Sequence, residues 1–182
     1  LDSDANSSLA NTSLGLVKMR QNKFDEAKKL LEKAVAGNQN NHLAHYNYAY
    51  ILSKESRDEF GYVKEFSKDT TAKMRAALQK AIAIKPDFPE SYRLLSFINL
   101  VSNENLDEAL NYVKKGLSLE PGNQSYLLLA GQIFLRQKKY EDAKEAAKLL
   151  IKTADEPSLR TNAQNLLDSI VRFEESKENY EK

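Results

Sequence analysis

Metal or acid–base chemistry in this chain would have to start from His42 and His45, its only two histidines, one helical turn apart in the segment NHLAH. Two imidazoles on one helix face can ligate an ion. This pair, however, lacks the glutamate and the spacing of the zinc motif HExxH, and has no carboxylate partner to complete a ligand set. It is expected to pack at a junction between elements. The chain has no cysteine, which excludes thiol catalysis, disulfide bridges and Cys-ligated zinc. No GxSxG serine, Walker loop or GxGxxG segment occurs. Adjacent acids remain at Asp25-Glu26, Asp107-Glu108 and Glu141-Asp142. Each opens a predicted helix, where the macrodipole favours negative charge without any chemistry. No catalytic residue, metal or cofactor is therefore expected, and the chain reads as a non-enzyme.

Composition narrows the partners. With 27 Lys and Arg against 26 Asp and Glu, the net charge of +1 offers no concentrated basic footprint for nucleic acid or a membrane surface. No apolar run approaches the roughly 20 residues of a membrane span. The start, LDSDANSS, is neither a Met start nor a signal peptide, and reads as the edge of a piece cut from a longer protein. The 182 residues suffice for one core or for several stacked units sharing one.

The elements that would position any site are helices. Only 6 Gly and 4 Pro occur, and Pro86, Pro89, Pro121 and Pro157 fall between periodic segments rather than inside them. FDEAKKLLEKAV, AALQKAIAI, LDEALNYVKKGLSL and YEDAKEAAKLLI carry apolar residues at three- and four-residue steps, the mark of amphipathic helices. Asn22 and Asn105 are expected N-caps.

These helices repeat. The small residues Gly15, Ala49, Ser96 and Gly131 sit in four first helices. The second helices align on Ala27, Met74, Ala109 and Ala143, followed seven residues later by Ala34, Ala81, Gly116 and Leu150. Leu14-Gly15, Phe24 with Ala27, Tyr140 with Ala143, and the closing Pro86 and Pro121 together resemble the tetratricopeptide repeat (TPR) family, whose helix–turn–helix unit is about 34 residues long. The resemblance implies an all-α fold: a right-handed superhelical solenoid of antiparallel helix pairs. It divides the chain into an N-terminal extension at 1–7 and four helix pairs over 8–156. A capping helix follows at 157–173, then a charged tail at 174–182.

The second unit departs from the pattern. It carries an insertion at about 57–71, RDEFGYVKEFSKDTT, with the aromatics Phe60, Tyr62 and Phe66. The preceding helix is expected to run on to Gly61, and Ser67 or Asp69 to cap the next. The insertion either buries its aromatics on its own helix pair or forms one wall of a binding site.

Function in a TPR array is expected in the concave groove lined by first helices. Projection by helical steps places Leu9, Thr12, Leu16 and Met19 there, then Tyr46, Tyr50 and Ser53, then Arg93, Phe97 and Leu100, and finally Leu128, Gln132 and Leu135. Asn47 is added as the one match to the donor set that holds an acidic chaperone tail in some TPR proteins. Thr12, Leu16, Glu90 and Leu94 stand where the other donors belong, so that ligand is not expected. Arg20, Lys54 and Arg136 form a basic rim. The expected role is a protein- or peptide-binding scaffold. The alternative is a docking segment that packs against a neighbouring domain of a larger, extracytoplasmic bacterial enzyme, and family habit favours that compartment over the cytoplasm.

Overall fold

The computed structural model describes residues 7–55 and 65–180. Among them are nine helices and no strand: α1 (Ser8–Arg20), α2 (Phe24–Gly37), α3 (His42–Glu55), α4 (Lys68–Ile84), α5 (Pro89–Ser102), α6 (Leu106–Leu119), α7 (Ser125–Arg136), α8 (Tyr140–Thr153) and α9 (Pro157–Tyr180). Each odd helix packs on the following even one, and each even helix on the next odd one. Along one side of the array α1 also packs on α3, α5 on α7, and α7 on α9. This is an all-α repeat solenoid in which each unit leans on its neighbours.

Small residues set the close approaches. Gly15, Ala49, Ser96 and Gly131 are all buried, as are Ala27, Met74, Ala109 and Ala143 one helix on. The core is continuous because single side chains belong to two clusters at once. Tyr48 joins the cluster around Leu31 and Ile51 to that around Leu78 and Leu95. Phe97 extends it to Val113 and Tyr126, and Phe134 to Leu166 and Ile170. Helix α7, SYLLLAGQIFLR, is apolar nearly all round because α5, α6, α8 and α9 all pack against it.

Three within-unit turns share one geometry. Asn22, Asn103 and Lys138 follow α1, α5 and α7 in the left-handed region, at φ of 58°, 51° and 60°. Just beyond them Lys23, Glu104 and Lys139 donate their backbone N–H groups to the carbonyls of Lys18, Asn99 and Phe134, the six-residue bond of a Schellman cap. This corrects the expectation for Asn22, while Asn105 holds the N-cap position of α6 as expected. Asn22 closes α1 rather than opening α2. Asn105, also left-handed at φ 53°, makes no side-chain cap bond to α6. Left-handed backbone turns the amide away from the helix N–H groups that a cap must reach.

At α3 the cap is Asn41, whose Oδ1 accepts from Ala44 N at 3.0 Å. Its Nδ2 donates to Ser8 Oγ at 2.9 Å and Thr12 Oγ1 at 3.1 Å, pinning α1 to the start of α3. Ser67 opens α4, accepting from Thr70 N at 3.1 Å. The expected extension of α3 toward Gly61, with Phe60 and Tyr62, lies outside the described residues. Phe66 is 5% exposed and packs in the core with Ala49, Met74 and Leu78. Helix α9 runs to Tyr180, past the expected end of a cap at 173, since no breaker interrupts it and Lys144 of α8 pairs with Glu174 at 2.8 Å.

Candidate functional site

A cleft of about 700 Å³ opens between α5, α7 and α9. Three elements build it from regular helical spacing. Helix α5 contributes Phe97, Leu100 and Val101, and α7 contributes Gln132, Leu135 and Arg136. Lys138 enters from the α7–α8 turn and Tyr140 from the start of α8, while α9 supplies Asn162, Asn165, Leu166, Ser169 and Phe173. Gly131 fixes how close the walls come. A methyl group there would lie 2.8 Å from Leu166 Cδ2, so the absent side chain admits α9 to the array. Phe173 is 56% exposed at the edge of the cleft.

The expected groove residues divide between this cleft and the junction before it. Phe97, Gln132 and Arg136 line the cleft, as do Leu100 and Leu135. Tyr46 and Tyr50 stack at 6.1 Å, and the Tyr46 ring meets Phe88 edge-on at 5.1 Å. Both tyrosines are half-buried and pack against the core cluster of Ala49, Leu78 and Leu95. Burial pushes the Tyr46 phenol above its ordinary range, and nearby Arg93 only partly opposes this. Tyr46 is therefore a neutral hydroxyl, not a base.

Lys54 Nζ lies 4.9 Å from the Tyr50 ring centroid, a cation–π contact at the end of α3. Arg93 and Arg20 are exposed. Asn47 is 6% exposed and spends its Nδ2 on the Leu43 carbonyl at 2.7 Å, because its place on α3 faces inward. Thr12 is likewise buried, donating to the Ser8 carbonyl at 2.7 Å.

The two histidines stand apart from the cleft. His42 meets Phe88 edge-on at 5.3 Å, and buried His45 donates Nε2–H to the Gln39 carbonyl at 3.1 Å. Burial lowers the pKa of both. His45 borders a shallower depression of about 440 Å³ formed with Val35, Tyr48 and Lys80. Among the described residues no group of three or more His, Cys, Asp or Glu could hold a metal ion, and no helix is long and apolar enough to cross a membrane.

The α9 wall and Lys138 were not among the expected site residues. A signal was present: Asn162, Asn165, Ser169 and Phe173 recur at steps of three, four and four on one helical face. Reading that helix only as a cover for the last repeat hid its second face.

Two tetratricopeptide repeat models match the chain, one over residues 12–58 and one over 100–171, together more than half of it. Among solved structures, YrrB, described as a TPR protein with an unusual peptide-binding site, superposes with a TM-score of 0.71 at 20% identity, over 89% of this chain and 76% of that one. TTC0263, a thermophilic TPR protein of Thermus thermophilus, gives 0.69 at 18% identity, over 93% and 86%. PilW, a type IV pilus biogenesis factor, gives 0.68 at 21% identity, over 87% and 68%. No curated protein sequence matches this chain.

Proposed function

The chain belongs to the tetratricopeptide repeat family, a protein-interaction scaffold by fold, and on that premise we propose that it is non-catalytic and holds a peptide or protein segment in the cleft between α5, α7 and α9. The observation that carries this reading is the cleft itself. Its walls are apolar at Phe97, Leu100, Leu135 and Phe173, its rim is polar, and its volume of about 700 Å³ suits a ligand of several residues. The walls belong to packed helices, so the site needs no large rearrangement to form. The likeness to YrrB, whose description names a peptide-binding site, supports the same use.

The test is a block. Ser169 faces the cleft from mid-α9, and Ser169→Trp would fill the space without touching the fully buried core residues. Peptides selected from a random display library on the native chain should lose binding to this variant while its helicity and melting temperature stay close to native. Undiminished binding of those peptides to Ser169→Trp would place the ligand elsewhere.

A further inference from the structure

Resting on that cleft as the binding site, we infer that its occupant is an extended peptide segment carrying Asp or Glu beside apolar residues. Three observations converge on this chemistry.

The charge in the cleft has one sign. Arg136 and Lys138 line it and no carboxylate does. Neither cation has a salt-bridge partner among the described residues, and both are exposed. Glu141 and Glu174 both pair with Lys144, at 2.9 Å and 2.8 Å, and Asp107 accepts from Gln137 Nε2 at 2.8 Å, so none of these three carboxylates pairs with Arg136 or Lys138. Two cations without an ion-pair partner beside apolar walls favour direct contact with an anionic group over a cationic one.

Amides supply the second observation. Gln132 on α7 and Asn162 and Asn165 on α9 all point into the cleft, and none of their side-chain amides has a hydrogen-bond partner among the described residues. Each offers a donor and an acceptor together, the complement of a peptide bond. A helical ligand satisfies its own backbone, whereas an extended one presents unpaired N–H and C=O groups to such amides.

The third is the backbone at Lys138. Sibling turns place Asn22 and Asn103 at this left-handed position, a conformation that asparagine tolerates and lysine does not favour. A lysine held there brings a cation to the edge of the cleft at some cost in local strain, as residues committed to a ligand often are.

The experiment is selection of a random peptide display library on the native chain, followed by affinity measurement of the enriched peptides on three proteins: the native chain, the Ser169→Trp variant and a charge-reversed variant. Enriched sequences should carry an excess of Asp and Glu next to Leu, Ile or Phe. The double variant Arg136→Glu with Lys138→Glu should lose about tenfold or more in affinity for them. Binding should also weaken as salt rises. Both positions are exposed, and circular dichroism checks that the variant folds. Enriched peptides without an acidic excess, or peptides indifferent to the charge reversal, overturn the inference. Peptides abolished by Ser169→Trp yet indifferent to charge reversal sink only the acidic preference. Peptides that survive Ser169→Trp sink the cleft reading as well.

Discussion

Gly116 of α6 lies against the ring of Tyr126 on α7, so closely that a methyl group on the glycine would overlap the ring. Tyr126 is fully buried, and its hydroxyl donates to the Pro89 carbonyl at 2.6 Å at the start of α5. Equivalent positions in the first two units hold Ala34 and Ala81. Helix propensity alone predicts that Gly116→Ala stabilises by about 1 kcal/mol. Here the contact reverses the sign. Gly116→Ala should destabilise by about 1–3 kcal/mol in urea denaturation, as overpacking does. Tyr126→Leu should relieve much of that loss, which a double-mutant cycle would detect as a coupling energy.

Asn41→Ala should cost about 2 kcal/mol, because it removes a helix cap and two cross-helix bonds while leaving Ser8 and Thr12 without their partner. The loss should be local. Hydrogen exchange should show α1 opening earlier than in the native chain, with α5 to α8 unchanged.

Lys138→Asn should raise stability, by up to about 1 kcal/mol, since asparagine enters the left-handed region more readily than lysine. The same change removes a cation from the cleft. A higher melting temperature together with weaker binding of acidic peptides is the expected pair of outcomes.

Stability should fall as pH drops below about 6.5, the ordinary histidine value. Burial is the main cause that holds His42 and His45 below it, with Lys85 and Lys80 respectively adding repulsion. The bond to the Gln39 carbonyl pulls His45 only partly back. The unfolded chain therefore takes up protons first, so the histidine contribution is full above 6.5 and is lost as pH falls toward the depressed folded values. Urea midpoints measured on either side of that value should differ more for the native chain than for His42→Gln with His45→Gln. Equal differences would show that the histidines do not titrate in this way.

Much of the fold was legible in the sequence because helical periodicity and small residues at fixed offsets report burial directly. Gly15, Ala49, Ser96 and Gly131 are where two helices must touch, and a residue type that permits contact is hard to disguise. The turns were read less well. Asparagine serves both as an N-cap and as a left-handed C-cap, so Asn22 fits either role until the φ angle is known. Site residues were harder still. Tyr46 shares its helical face with groove positions, and only the placement of Phe88 from the next unit shows that it is half covered. Asn162 and Asn165 could be assigned to a binding wall only once α9 was known to flank α7.

Helix α9 both packs on α8 through Leu166 and Ile170 and forms one wall of the cleft. Detachment of that single element would erase the site, so occupancy and local unfolding draw on one equilibrium. A ligand at 100 times its dissociation constant would hold α9 in place by about 2.7 kcal/mol more than the empty protein does. Conversely, any event that frays α9 would lower apparent affinity in proportion to the docked fraction that remains. With a ligand in the cleft, α9 would act as a rheostat on its occupancy, and the slowest-exchanging amides of that helix would report ligand concentration.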